Sequence, residues 1–406
     1  MSPTHTVFPV AQRVNRFSYA IRNIAVEAER LEAAGTRVRY LNVGNPPPFG
    51  FQPPAHLVEA VIESLRRGDN GYGPSVGVRP AREAIADEYT GRGWPVAPDH
   101  VAVTSGTSEG IELALSTLVD PDGEVLVPMP TYPLYTAVLA KIGARGVYYR
   151  TDPSRGWIPD LDHMASLVTP KTRALVVIDP NNPTGATYPV AVRKSLVQFV
   201  ERHNIVMLAD EVYGDIGYDG AIPPIGSLDH DAPIISFSSL SKGYMAPGWR
   251  TGWLAVGRTP RLDDVLAGIR KMADGRLCST VPMEHAIAAA LRGDRTHQVK
   301  FRAALKERAQ ITTSSLRAMP GVTCSEPTAA FYAMPKVSLP PGKTDEEYVL
   351  ALLRETGVLC VHGSGFGMRP EDGYLRIVFL AAPDELRDIY RLMADFTAHY
   401  LSNARG

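Results

Sequence analysis

The sequence predicts an α/β fold: a large domain with a mostly parallel sheet flanked by helices, joined to a smaller α+β domain drawn from both chain ends. Three observations carry that prediction. Short β-rich apolar runs alternate with amphipathic helical stretches through the middle of the chain. Several of these runs are apolar at every position, the pattern of strands covered on both faces. After residue 294 the character changes to a long charged helix, short strands and a final helix.

Strands are expected over 101–103, 124–127, 174–178, 205–209, 234–237 and 253–256. Between the first two, Ile111, Ala114, Leu115 and Leu118 recur at i, i+3, i+4 and i+7, so 108–118 should be a helix packed on the sheet. Further helices are expected over 21–34, 298–316 and 383–400. These elements divide the chain into an N-terminal part of the small domain (1–64), the large domain (65–294) and the rest of the small domain (295–406).

At 406 residues, 45% hydrophobic, 21% charged and net charge −1, the composition is that of an ordinary globular protein. The chain lacks the basic runs of nucleic-acid binders and apolar runs of the ~20 residues a membrane span requires. The first ten residues have neither the basic nor the apolar region of a signal peptide. Cys278, Cys324 and Cys360 are widely spaced, which reads as reduced thiols in a cytoplasmic protein, and no metal site is expected.

Four candidate elements each follow a predicted strand. Ser239-Leu240-Ser241-Lys242 follows 234–237, with Gly243 next and Arg250 further on. A lysine at the end of a buried strand is unusual, because lysine is seldom buried without a partner. The alternatives are a surface lysine in a serine-rich loop, or a serine nucleophile of the β-lactamase type, whose companion Lys-Thr-Gly is absent. Asp210 and Tyr213 follow 205–209, at the carboxyl end of a strand where ligands of open α/β sheets bind; a helix N-cap is the other reading of the aspartate. Asp179-Pro180-Asn181-Asn182-Pro183-Thr184-Gly185 is a rigid turn after 174–178, where Asn182 could bond its own backbone. Ser105-Gly106-Thr107-Ser108 enters the helix at 108. Small residues at a helix N-terminus cradle phosphate with backbone N–H groups, or merely cap the helix.

Taken in order, Gly44-Asn45-Pro46, Tyr72, Ser105-Gly106-Thr107, Pro130-Thr131-Tyr132-Pro133, Asn182-Pro183-Thr184-Gly185, Asp210-Glu211-Val212-Tyr213, Ser239-Leu240-Ser241-Lys242, Arg250 and Arg376 resemble the fold-type I pyridoxal 5'-phosphate (PLP) enzymes, specifically the class I aminotransferases. The resemblance runs from about Arg22 to Tyr400. It implies that Lys242 holds PLP as a Schiff base and carries the α-proton. It implies that Asp210 pairs with the pyridine nitrogen, that Tyr213 and Asn182 bond the ring's phenolate oxygen, and that Tyr132 stacks on the ring. Gly106, Thr107 and Ser108 would hold the phosphate, helped by Ser239 and Arg250. Arg376 would clamp the substrate carboxylate with its fork, with Gly44 lending an N–H. In the family the Tyr72 equivalent reaches the neighbouring subunit's cofactor, which implies a homodimer.

Retention of Gly44 and Arg376 favours transamination over α-decarboxylation and leaves lyases open. Gly44-Asn45-Pro46-Pro47-Pro48-Phe49-Gly50-Phe51, Tyr19-Ala20-Ile21-Arg22 and Arg276-Leu277-Cys278-Ser279-Thr280-Val281-Pro282 resemble the alanine (glutamate–pyruvate) aminotransferases, which implies alanine or glutamate with pyruvate or 2-oxoglutarate. Arg276 would either meet a distal carboxylate or form a structural salt bridge. Pro247, Gly110 and Thr107 depart from the usual residues around the pocket. A lyase, or an aminotransferase for a larger amino acid, is the competing expectation.

Overall fold

A computed structural model describes residues 8–16 and 20–403. The chain opens with helix α1 (Ala20–Ala33), strand β1 (Arg39–Tyr40), helix α2 (Ala55–Arg67) and helix α3 (Arg79–Gly91). Strands and helices then alternate: β2 (Val101–Thr104), α4 (Thr107–Leu118), β3 (Glu124–Met129), α5 (Pro133–Ile142), β4 (Arg145–Asp152) and β5 (Ile158–Pro159). The same alternation continues with α6 (Leu161–Ser166), β6 (Thr172–Ile178), α7 (Val190–His203), β7 (Val206–Asp210), β8 (Ile234–Ser239) and β9 (Gly252–Val256). Helices α8 (Asp263–Arg276) and α9 (Val281–Arg292) follow.

These strands form one sheet in the order β2-β9-β8-β7-β6-β3-β4-β5. The pairs β3–β4, β3–β6, β6–β7 and β7–β8 are parallel. Strand β9 runs antiparallel to both neighbours, and β5 antiparallel to β4. The loop from β8 to β9 contains no α-helix, and a parallel return needs a crossover of a dozen or more residues, usually helical. That loop carries Lys242.

The uniformly apolar strands serve two cores. Leu175, Val177, Met207 and Ala209 face a cluster with Leu57, Val61 and Ile287, on α2 and α9. Their neighbours Ala174, Val176, Ile178 and Leu208 face a cluster with Ile111, Leu115 and Ile269, on α4 and α8. Alternation of side chains across a strand requires this division. Each fully buried valine, leucine, isoleucine or methionine among them contributes about 1.5–3 kcal/mol. The boundary expected at residue 64 falls inside α2, whose Leu57 and Val61 lie in the core of the large sheet.

The remaining chain builds α10 (Thr296–Arg317), β10 (Val322–Thr323), β11 (Tyr332–Ala333), β12 (Lys336–Val337), α11 (Asp345–Thr356), β13 (Val358–Leu359), β14 (Val361–His362), β15 (Leu375–Val378) and α12 (Pro383–Asn403). Helix α11 starts with a capping box, Thr344 and Glu347 satisfying each other's backbone N–H groups. Strand β1 pairs in parallel with β13, and Ile24, Ala28 and Leu41 join Phe301, Leu352 and Ile389 in a third core. Both ends of the chain therefore share that core, which also takes Tyr213, Ile216 and Met245 from the loops at the sheet's edge.

Candidate active site

Strand register sets the site. Asp210, the last residue of β7, lies opposite Ile178 on β6 and Phe237 on β8. The three strands thus deliver Asn182, Asp210 and Lys242 to one carboxyl edge, where a cavity of about 400 Å³ opens. Asn182, Asp210, Tyr213, Ser239 and Lys242 line it, with Thr107 and Ser108 from α4, Tyr132 before α5, Gly44, Arg250 and Arg376. Tyr72 does not; it is 86% exposed on the outer surface.

The Lys242 Nζ donates to the Gly44 carbonyl at 2.8 Å and lies 5.8 Å from the Phe331 ring centre. Burial, with the positive charges of Arg376 and Arg250, pushes its ammonium down to about 8 against the pull of Asp210. A substantial neutral fraction follows near pH 8, the form a nucleophilic amine needs. Burial likewise pushes the Asp210 carboxyl up to about 6. Its Oδ2 accepts from the Tyr135 hydroxyl at 3.0 Å and its Oδ1 from the Val212 N–H at 3.4 Å.

Asn182 sits in a turn fixed from within. The Asn181 Oδ1 accepts from the Thr184 N–H at 3.2 Å and hydroxyl at 2.8 Å, and Arg193 pairs with buried Asp179 at 3.1 Å. The Asn182 Oδ1 accepts from Arg376 Nη1 at 3.3 Å, while Arg376 Nη2 donates to the Asn42 carbonyl. The guanidinium is held between two rings, 4.6 Å from the Phe366 centre and 5.2 Å from that of Tyr332. A flat cation so held presents a fixed fork, as a carboxylate requires.

Gly106 is the N-cap of α4, at φ +82°, and no side chain caps that helix. A Cβ at Gly106 would strike the Arg250 guanidinium, and one at Gly252 would come within 2.6 Å of the Thr107 nitrogen. Gly106 therefore stands directly behind Arg250, whose own φ is +52°. Arg250 donates to the Pro247 carbonyl at 2.9 Å and the Ser105 carbonyl at 3.4 Å. The N-terminus of α4 and a guanidinium line one end of the cavity, and glycines let the backbone and Arg250 approach this closely. This is an anion cradle.

Arg276 is engaged structurally. It donates to the carbonyls of Ser75, Leu277 and Val103 and pairs with Glu109 at 3.0 Å, while Glu109 accepts from the Ser105 N–H at 2.6 Å. Its charge thus steadies the cradle loop. The Tyr19–Arg22 segment lies outside the described side chains.

Sequence reasoning missed Tyr135, Asn42, Tyr332 and Phe366. Tyr135 lies three residues after Tyr132, the N-cap of α5, in the first turn of a helix that no apolar periodicity marked. Its bond is a leading influence holding the Asp210 carboxyl down. Tyr135→Phe should therefore raise the midpoint of that carboxyl in the cofactor-free protein above about 6. Carbon NMR of aspartate-labelled protein, with Asp210→Asn to assign the resonance, measures it; an unmoved midpoint would dismiss the bond.

The site matches PLP at each end: an anion cradle for phosphate, a buried carboxylate for the pyridine nitrogen, and a depressed lysine for the aldehyde carbon. The family profile described as aminotransferase class I and II matches residues 37–389. The glutamate–pyruvate aminotransferase AlaA of Haemophilus influenzae is 36% identical over 402 residues, 97% of this chain and 99% of that protein. The alanine aminotransferase of Mycobacterium tuberculosis is 36% identical over 414 residues, covering 98% and 96%. A solved structure described as alanine aminotransferase from Pyrococcus furiosus superposes with TM-score 0.93 at 36% identity, covering 96% of this chain and 100% of that one. With its fold, its cavity and these relatives in agreement, the chain belongs to the class I and II aminotransferases, PLP-dependent enzymes that move an amino group between an amino acid and a 2-oxo acid.

Proposed function

We propose that this enzyme is an alanine transaminase, exchanging the amino group between alanine and 2-oxoglutarate to give pyruvate and glutamate. The observation that carries the reading is one cavity in which a depressed lysine, Lys242, lies between the carboxylate Asp210 and the two-ring clamp of Arg376. The relatives named for alanine and for glutamate–pyruvate support the substrate pair.

When bound, PLP supplies the electron sink for the pair left on the amino acid's Cα. Arg376, steadied by Asn182 and Asn42, would receive the α-carboxylate, with Gly44 lining the same cavity. Asp210 would set its carboxylate against the pyridine nitrogen. Lys242, whose burial lowers its ammonium to about 8, would take the proton from Cα and deliver it to the former aldehyde carbon within the same half-reaction, and the opposite half-reaction would run that transfer in reverse. Thr107, Ser108, Ser239 and Arg250 would bind the phosphate, and Tyr132 would cover the ring. The apolar wall of Leu134, Ile111 and Pro247 suits a small side chain.

The working form we infer is a cytoplasmic homodimer in which Tyr72 reaches the partner's site. Exposed Tyr72, Met272 and Leu277 lie on segments tied together by Ser75, whose hydroxyl donates to Asp274 at 2.5 Å and whose carbonyl accepts from Arg276 at 2.9 Å. Leu277 holds a left-handed φ of +72° on an exposed apolar side chain, a strained placement that an interface explains. Among the described residues no helix is long and apolar enough to cross a membrane.

Purified protein given alanine, 2-oxoglutarate and PLP should form glutamate and pyruvate in equal amounts. Pyruvate released without a 2-oxo acid would replace this reading with a lyase, and activity confined to larger amino donors would replace alanine.

A further inference from the structure

Tyr332 stands where the two halves of the site meet. It is buried, lines the cavity from β11, and its hydroxyl lies 2.8 Å from that of buried Tyr213. Its ring lies under the Arg376 guanidinium, 5.2 Å from centre to Cζ, and crosses the Tyr213 ring almost at right angles, at 87°. A Cβ at residue 44 would strike the same hydroxyl, so Gly44 is the residue that lets Tyr332 reach Tyr213. Phe331, its neighbour, carries the Lys242 Nζ on its own ring face.

Each phenol has one proton. The titratable and charged groups around the Tyr213 hydroxyl are Tyr332, Tyr132 and Asp210, with Arg376 across the Tyr332 ring. Where Tyr213 gives its proton to an acceptor in the cavity, its oxygen can only accept from Tyr332. A phenol that accepts one hydrogen bond donates the next more strongly.

We propose that Tyr332 is a positioning residue that joins the carboxylate clamp to the cofactor side: its hydroxyl donates to Tyr213 Oη and turns the Tyr213 proton into the cavity, while its ring carries Arg376. The proposal rests on the reading that Tyr213 meets the ring oxygen of PLP. Donation to that oxygen favours the form in which its negative charge is uncompensated. Weaker donation favours the protonated form and moves the pH midpoint of the cofactor's absorbance upward.

Two variants of the holoenzyme test it. Tyr332→Phe keeps the ring and removes the hydroxyl. The absorbance midpoint should rise by roughly 0.2–0.6 pH units, while KM for alanine stays within about twofold. Tyr332→Leu removes the ring as well, and KM for alanine should rise roughly 3- to 30-fold as the cation–π support of Arg376 is lost. A midpoint in Tyr332→Phe that is unmoved or lower overturns the proton relay, and an unchanged KM in Tyr332→Leu overturns the support of Arg376. The wild-type titration and glutamate formation report on the site itself. In a holoenzyme that titrates and turns over, an unmoved midpoint therefore counts against Tyr332 alone.

Discussion

Lys242→Ala should leave an enzyme that binds PLP without a covalent link and transaminates at least roughly 10²–10⁴-fold more slowly, the contribution of a positioned acid–base group alone. The geometry explains why no other group would substitute. The amine leaves the β8–β9 loop, rests on the Gly44 carbonyl, and is depressed to about 8 by burial and by two guanidinium groups. Removing it also deletes the nucleophile toward the aldehyde carbon. The check is borohydride reduction followed by peptide mass analysis. Wild type should carry the cofactor on Lys242 and the variant nowhere; a reducible adduct in the variant would assign the anchor to another lysine.

Arg376→Ala should cost about 2–5 kcal/mol in transition-state binding, a loss of some tens- to thousands-fold in kcat/KM for alanine. The substitution removes the fork and leaves Asn182, the Asn42 carbonyl and two ring faces arranged around nothing. Arg376→Lys should recover little, because an ammonium keeps the charge but cannot bond both carboxylate oxygens in one plane. Unchanged steady-state kinetics with α-amino acids would remove Arg376 from the site.

Much of this arrangement was legible in the chain. A strand buried on both faces must be apolar throughout, so β6, β7 and β8 announced themselves, and polar motifs directly after them fell at the sheet's carboxyl edge. Strand direction leaves no such mark: β9 is as apolar as the mutually parallel β6, β7 and β8, yet runs antiparallel to β8. Helix α5 was missed because Pro133–Ile142 is apolar nearly all round and shows no polar face. Its burial hid Tyr135, the partner of Asp210. The two-residue strands β11 and β14 are too short to show a period of two. Tyr332 and Phe366 became visible only once β11 and β15 were paired and Arg376 was seen between the rings.

The bond from Arg376 to Asn42 spans 334 residues of sequence, and that from Arg376 to Asn182 spans 194. As the chain leaves the ribosome, the anchoring lysine, the aspartate and the anion cradle are all made before the substrate fork, which arrives near the end. Reagent grip thus precedes selectivity in time. The site is complete only when the core that holds Tyr213 and Met245 receives Leu352, Ile377 and Ile389 from the later part of the chain.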